Sequence, residues 1–174
     1  MIRGKKGRFQ KEDSDVLDIS FSIESLASKS RVPVTQSILR GVQVGNLGVV
    51  YGGPYSQKPK FLKGIKLAPE AKGEAKVSAS IEDFSVPSNK EMRRLLLWAI
   101  KIMSDDGAVY VGCMMGQGRT GTFIACLLKC MGIENPVDNC RAIYNSKAVE
   151  TTGQEKFVED FPAEEISLIL KILS

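Results

Sequence analysis

The amino-acid sequence predicts an α/β fold, with a central, mostly parallel sheet of four to five strands, flanking helices and a helical carboxyl-terminal part. Two observations lead to this prediction. Short β-like runs and one fully apolar strand pattern alternate with helical patterns up to about residue 131, and three helical patterns then follow one another. With 174 residues, of which 43% are apolar and 25% charged, the chain is long enough to bury one sizeable core.

Residues 1–30 are expected to form a flexible arm, and residues 31–174 a single domain. The arm is inferred because basic side chains are concentrated in residues 1–12, acidic ones follow, and apolar residues show little pattern. A basic arm could touch nucleic acid, but the net charge of the chain is only +4, so a solvated terminus is the simpler interpretation. Nucleic acid is therefore not an expected partner.

Four short β-like runs come next, separated by glycines, and they are expected to supply edge strands and loops around a pocket. They are residues 32–34, 42–44, 49–51 and 65–67. A further strand is predicted over about residues 76–81, leading directly into the loop 81–88. The order of these strands in the sheet does not follow from the sequence.

The second half of the chain carries clearer signals. Ser88 followed by Glu91 predicts a helix start, and apolar residues recur at helical spacing up to about residue 106. Residues 108–111 then predict a buried central strand. Further helices are predicted over residues 120–131, about 136–144 with Asn135-Pro136 as its cap, 152–160 and 163–173.

The most informative segment lies between the central strand and the next helix, where five residues separate Cys113 from Arg119. Such a turn lets successive backbone N–H groups point inward at the amino end of a helix, which forms an anion-binding concavity. Arg119 adds a planar fork that can hold two phosphate oxygens, and the positive surroundings favour a thiolate at Cys113. The predicted phosphate-binding residues are Met114, Met115, Gly116, Gln117, Gly118 and Arg119.

The remaining catalytic candidates complete a two-step displacement on phosphorus. Cys113 would attack and carry the phosphoryl group, and Thr120 could donate a hydrogen bond to the sulfur. Asp83, on the loop before the first long helix, is the predicted general acid, with Glu82 in reserve. Gln154 could orient the water that cleaves the thiophosphate, although it could equally be an ordinary surface glutamine on a helix.

These residues resemble the signature of the cysteine-dependent tyrosine and dual-specificity phosphatase superfamily. Cys113, Arg119 and Thr120 match its pattern of Cys, five residues, Arg and Ser or Thr, and residues 116–121 match the Gly-x-Gly-Arg-Thr-Gly of the compact branch. Residues 83–88 look like its general-acid loop, and Gln154 with Phe157 is similar to its water-positioning segment. The resemblance covers roughly residues 76–160 and implies a tyrosine phosphatase-like fold for the domain 31–174.

The chain departs from the family at one position, because Gly112 stands where the family usually has His before the nucleophile. The chain contains no His at all, which excludes Ser-His-Asp and Cys-His catalysis and any His-ligated metal. A modest loss of rate is expected from this departure. Neither a metal nor an organic cofactor is expected, since sulfur, guanidinium, carboxylic acid and water suffice.

The four cysteines lie within 28 positions and do not resemble a disulfide framework. Cys126, Cys130 and Cys140 are expected to be small buried side chains rather than a metal or redox site. No apolar run approaches membrane-spanning length, and the first residues lack a hydrophobic signal core. We therefore expect a cytoplasmic, reducing location and no membrane partner.

Three functional hypotheses remain open at this stage. The first is a phosphatase for phosphotyrosine in proteins or peptides, with phosphoserine and phosphothreonine as further candidates. The second is a phosphatase-like module that binds phosphorylated partners without hydrolysing them. The third is a phosphatase for a non-protein ester, although a lipid headgroup is disfavoured because the loop contains no lysine to match extra phosphates.

Overall fold

The computed structural model describes residues 39–173, which contain one five-stranded sheet. The strands are β1 Arg40–Val44, β2 Gly48–Pro54, β3 Gly64–Lys66, β4 Val77–Ser78 and β5 Ala108–Cys113. Their order across the sheet is β1-β2-β5-β3-β4, in which only the β1–β2 pair is antiparallel. The predicted, mostly parallel sheet is therefore confirmed. The predicted arm of residues 1–30 and the β-like run at 32–34 lie outside the described residues.

Five helices accompany the sheet in this part of the chain. They are α1 Asn89–Asp106, α2 Gly118–Cys130, α3 Pro136–Ile143, α4 Thr152–Asp160 and α5 Glu164–Leu173, with a short 3-10 turn at Tyr55–Gln57. Both α1 and α2 contact β2 and β5, and α2 also contacts the three helices that follow it. This packing buries β5 along its whole length at the centre of the molecule.

Two of the early β-like runs, which could have been edge strands, are interior strands of the sheet. Residues 49–51 lie in β2 and residues 65–66 in β3, and these strands flank β5 on either side. The predicted strand at 76–81 is shorter than expected. Its regular pairing covers only Val77–Ser78, but the Ala79 and Ile81 amides still donate to the Lys66 and Leu67 carbonyls at 2.8 and 3.2 Å. The chain thus stays attached to β3 up to the loop 81–88.

Helix α1 begins and ends as its sequence predicts. The Ser88 hydroxyl accepts the Glu91 amide at 3.1 Å, and Gly107 ends the helix in a left-handed conformation. The apolar stripe of α1 is buried and includes Leu95, Leu96 and Ala99. Asn135 does not cap α3 with its side chain, since its own backbone is left-handed, with a φ of 47°. In the described part of the chain, no helix has the length and apolar character needed to cross a membrane.

Candidate active site

The loop that joins β5 to α2, residues 113–119, is here called the cysteine loop. Cys113 ends the central strand and is only 2% exposed. The Gly116 amide donates a hydrogen bond to its sulfur at 3.3 Å, and Gly116 has a φ of 72°, which favours glycine. Met114 and Met115, in contrast, are exposed on the turn. The loop therefore turns back on the sulfur at Gly116, and the role of its other amides in binding phosphate stays a prediction.

The end of β2 packs directly against this loop and leaves no space for a side chain at Gly112. A Cβ atom on Gly112 would lie 2.8 Å from the Gly53 oxygen and 2.9 Å from the Tyr55 nitrogen. A Cβ atom on Gly116 would lie 2.4 Å from the Gly53 carbonyl carbon. Backbone atoms therefore occupy the space that a side chain at position 112 would need.

Two buried tyrosines support the cysteine loop and its neighbour β2. The Tyr144 hydroxyl donates to the Gly116 carbonyl at 2.6 Å, and the Tyr110 hydroxyl donates to the Pro54 carbonyl at 2.9 Å. Burial, and then the nearby Cys113 charge, raise the pKa of Tyr110 to about 12 and raise that of Tyr144 as well. Both hydroxyls therefore remain protonated donors at neutral pH. No local sequence pattern pointed to either residue.

Changing Tyr144 to Phe is expected to slow alkylation of Cys113 by iodoacetate at pH 7 by about tenfold. The substitution removes the donor to the buried Gly116 carbonyl, and leaving such a group unpaired costs about 1–3 kcal/mol. A looser loop should hold the Cys113 sulfur in a less reactive arrangement. The rate is measured by mass spectrometry of the labelled peptide. Tyr51→Phe is the control, since the Tyr51 hydroxyl makes no hydrogen bond to the cysteine loop, and equal rates in both variants would contradict this role.

Arg119 brings the cysteine loop together with two carboxylates from distant parts of the chain. Its side chain is 2% exposed, and its Nη2 atom lies 2.6 Å from Glu70 Oε1 and 3.0 Å from Asp83 Oδ1. Its Nη1 atom donates to the Ile81 carbonyl at 2.9 Å. The hydrogen bond from Arg119 lowers the pKa of Glu70. Sequence reasoning missed Glu70, because it lies in an irregular segment after β3 that carries no recognisable motif.

Asp83 lies on the loop 81–88, here called the Asp83 loop, and its carboxylate also accepts the Phe84 amide at 3.1 Å. Phe84 has a positive φ of 57°, an uncommon conformation for a bulky residue. Glu82, the reserve candidate, makes no ion pair with Arg119 in the structure. Of the two carboxylates considered from the sequence, Asp83 is the one that meets Arg119.

Gln154 is completely buried, so the interpretation as a surface glutamine is wrong. Its Oε1 atom accepts the Glu150 amide at 2.8 Å, and its Nε2 atom donates to the Ser85 carbonyl at 3.2 Å. A Cβ atom on Gly118 would lie 3.0 Å from Nε2, so the amide lies against the first residue of α2. Gln154 thus connects the Asp83 loop to the cysteine loop, and its role in orienting water stays a prediction.

Thr120 and the other cysteines complete the surroundings of the sulfur. The Thr120 hydroxyl is fully buried and has no hydrogen-bond partner within residues 39–173, so the predicted bond to Cys113 is not formed in this arrangement. Cys126, Cys130 and Cys140 are free and buried, as the sequence predicts. Burial raises the pKa of Cys130 and Cys140 to about 12, which keeps both thiols protonated.

Comparisons with known proteins find a sequence match that includes the cysteine loop. Residues 58–133 match a family described as Tc-R-P: Polymorphic toxin system, DSP-PTPase phosphatase. Two uncharacterized proteins of Methanocaldococcus jannaschii are each 37% identical to this chain over 81 residues. The matched segment is 47% of this chain, 55% of the first protein and 51% of the second. The chain thus spans about half the length of these curated relatives.

Solved structures share the fold. Tk-PTP in its active form is 19% identical with a TM-score of 0.56, and the match covers 72% of this chain and 97% of that one. The core catalytic domain of the PP-IP phosphatase SIW14 from S. cerevisiae, in complex with citrate, is 17% identical with a TM-score of 0.53, covering 78% and 93%. At these identities the likeness establishes the architecture, in which the cysteine loop follows the central strand.

Proposed function

We propose that this chain, whose residues 58–133 match a DSP-PTPase phosphatase family, hydrolyses phosphate monoesters through a cysteinyl-phosphate intermediate. The observation that carries this proposal is the meeting of Cys113, Arg119 and Asp83 around one loop. Asp83 lies 30 positions before Cys113, yet its carboxylate is 3.0 Å from the Arg119 guanidinium. The candidate nucleophile, phosphate ligand and general acid are thus brought to one loop, as this reaction requires.

The reaction has two balanced steps. In the first, the Cys113 thiolate attacks phosphorus, an S–P bond forms, the P–O bond to the leaving group breaks, and Asp83 gives its proton to the leaving oxygen. In the second, water attacks phosphorus, its proton passes to Asp83, and the S–P bond breaks to return the thiolate. Arg119 and the loop amides stabilise the charge on the phosphoryl oxygens in both steps.

We assign phosphotyrosine in proteins or peptides as the substrate, with phosphoserine and phosphothreonine as further candidates. Three large apolar side chains next to the catalytic residues support an aromatic leaving group: Phe84, Met114 and Met115 are 62%, 48% and 63% exposed. Methionine and phenylalanine surfaces pack well against an aromatic ring. The nucleophile must remain a thiol, so we place this activity in a reducing, cytoplasmic setting.

A second candidate is a non-protein phosphate ester. It is favoured by the structural likeness to a protein described as a PP-IP phosphatase, although that likeness extends to the fold alone. The binding-only hypothesis is the other alternative, because the backbone packed against Gly112 leaves no room for the family's imidazole and supplies no group in its place.

The proposal is tested with two aryl phosphates whose leaving groups differ in basicity. Wild-type protein should hydrolyse both. Asp83→Asn should slow release of phenol from phenyl phosphate by about 10²-fold, because a basic leaving oxygen needs the proton, and should change release of the less basic 4-nitrophenol much less. Steady-state kinetics of both esters measure the difference.

The control for this experiment is Asp105→Asn, which removes an exposed carboxylate that pairs with Lys101 at 3.1 Å on α1. It should leave both rates unchanged. Equal losses for the two esters in Asp83→Asn would remove Asp83 from the mechanism. Tight capture of a phosphopeptide by wild-type protein, with no phosphate released over hours, would instead establish the binding module.

A further inference from the structure

A cavity of about 500 Å³, here called the edge cavity, lies between the segment after β4, the Asp83 loop and the first turn of α1. Ser80, Ile81 and Glu82 line it on the β4 side, and Glu91 lines it on the α1 side. No residue of the cysteine loop contributes to this lining. The edge cavity therefore adjoins the loop of the proposed general acid but is separate from the phosphate cradle.

The β4 side of this cavity is an open edge of the sheet. β4 is the last strand in the sheet order, and burial alternates from Val77 to Ile81, with Ser78 and Ser80 exposed. The Ala79 and Ile81 amides donate to carbonyls of β3 and the residue after it. Because the polar backbone groups of successive residues point to opposite sides of a strand, those of Ser78 and Ser80 face away from β3.

Arg94 closes this edge at Ser78 but not at Ser80. Its Nη2 atom donates to the Ser78 carbonyl at 2.8 Å, and its guanidinium also pairs with Glu91. The backbone of Ser80 has no hydrogen bond within residues 39–173. A free N–H and a free C=O at a sheet edge can pair with the backbone of an extended peptide.

The edge cavity is acidic. Glu82 is exposed and forms no ion pair within the part of the chain that the structure describes. Glu91 is already neutralised by Arg94 at 2.6 Å, and no lysine or arginine is found among the described residues of the lining. A basic side chain is therefore the natural complement of Glu82.

Ile81 connects this edge to the residues that would bind the phosphate. Its carbonyl accepts Arg119 Nη1 at 2.9 Å, and Asp83 pairs with the same guanidinium at 3.0 Å. Ser80 is only one position before this carbonyl. Since an extended chain advances about 3.3 Å per residue, a peptide with its phosphate at Arg119 needs only a few residues to reach Ser80.

We propose that the edge cavity docks the segment of a phosphopeptide next to its phosphorylated residue, with the Ser80 backbone pairing with the peptide backbone and Glu82 binding a lysine or arginine side chain. The substrate class is an extended peptide with a basic residue close to phosphotyrosine. This inference rests on the proposed function and names the substrate that the site prefers.

The test uses six phosphotyrosine peptides that carry Lys at one of the three positions on either side of the phosphotyrosine, each with a partner peptide that has Gln there. At least one Lys peptide should have a kcat/KM about fivefold above its partner, which is the effect of an exposed ion pair. The net charge of the chain is +4, so general attraction would favour the Gln peptides. Ratios below about two at all six positions would overturn the proposal.

Glu82→Gln should lower the preferred Lys-to-Gln ratio to about one. The ratio compares two peptides on one variant, so a change of overall rate cancels. The matched control is Glu134→Gln, which removes an exposed carboxylate after α2, at the end opposite the cysteine loop, and should keep the wild-type ratio. An unchanged ratio in Glu82→Gln, or an equal fall in both variants, would count against the proposal.

The backbone pairing is tested with Ser80→Pro, which removes the Ser80 N–H. Proline is tolerated where the N–H of an edge segment faces away from the sheet. This variant should lower kcat/KM for the preferred peptide about fivefold and leave hydrolysis of phenyl phosphate nearly unchanged, because that ester has no backbone to pair. Ser80→Ala keeps the amide and should behave like wild type. Equal effects of Ser80→Pro on both substrates would refute the pairing.

A binding measurement separates this inference from the proposed function. Fluorescence anisotropy of Cys113→Ser with the labelled peptides should give a Kd about fivefold lower for the preferred Lys peptide than for its Gln partner. Such a preference without turnover of any ester by the wild-type protein would contradict the proposed function and support the docking site. Peptide turnover without a preference in either measurement would contradict the docking site alone. Turnover of phenyl phosphate but of no peptide would also overturn it, in favour of a non-protein ester.

Discussion

Replacing Cys113 by serine is expected to abolish turnover, with kcat lower by at least about 10⁴-fold, because no other group in the site can take its place as nucleophile. The Cys113 sulfur lies at the end of the central strand and accepts the Gly116 amide at 3.3 Å. A serine hydroxyl stays protonated at neutral pH, and the chain has no His to deprotonate it. The loss is measured as phosphate released from phenyl phosphate.

Cys140→Ser is the matched control for this variant. Cys140 is also fully buried, and its thiol donates to the Gly121 carbonyl at 3.5 Å, but it lies on α3, outside the cysteine loop. Its replacement should cost some stability and leave kcat nearly unchanged. Vanadate should protect Cys113 of the wild-type protein from iodoacetate. Turnover at the wild-type rate in Cys113→Ser would refute the covalent mechanism.

Restoring the family's histidine by Gly112→His is expected to destabilise the protein by about 3 kcal/mol and to lower its activity, because the new side chain overpacks a filled space. Its Cβ atom alone would approach the Gly53 oxygen to 2.8 Å and the Tyr55 nitrogen to 2.9 Å. Since these are backbone atoms of β2 and the turn after it, they cannot move aside by changing a rotamer. The free energy of unfolding is measured by urea denaturation.

The same reasoning predicts that Gly112→Ala already destabilises the protein. Gly153→Ala is its control, because a Cβ atom at Gly153 would have only Thr151 Oγ1 nearby, at 3.8 Å. Gly153 lies in the first turn of α4, where alanine is a better helix former than glycine, so this variant should be neutral or slightly more stable. A Gly112→His protein as stable as wild type, with raised activity, would show that the position is not filled.

The sequence was sufficient for those parts of the site that are close together along the chain. The strand, turn and helix around Cys113 and Arg119 form a continuous pattern, and the helix cap at Ser88 is equally local. Glu70 and Tyr144 could not be predicted, because each reaches the site through the pairing and packing of distant segments. The order of the strands depends on the same long-range contacts, so the interior positions of β2 and β3 could not be predicted.

The close packing around Gly112 could not be predicted from the sequence either, because it also depends on distant segments. When only the motif is considered, a glycine before the nucleophile suggests that the site lacks an imidazole that helps catalysis. The neighbouring backbone of Gly53 and Tyr55 shows that the position has no room for a side chain. Support for the loop comes instead from Tyr144, which is 28 positions away from Gly116 along the chain.

Side chains from two other segments hold the Asp83 loop. Arg119 pairs with Asp83 and donates to the Ile81 carbonyl, Gln154 donates to the Ser85 carbonyl, and the Thr151 hydroxyl donates to the Phe84 carbonyl at 3.4 Å. The conformational entropy lost when this loop becomes ordered is therefore part of the free energy of folding, and substrate binding need not supply it. Thr151 and Gln154, which hold this loop, lie at the start of α4. The turnover rate and the thermal stability of the protein are consequently both expected to depend on the first turn of α4. Conditions that fray this turn should disorder Asp83, the proposed general acid, and turnover should decline at temperatures below those that unfold the sheet.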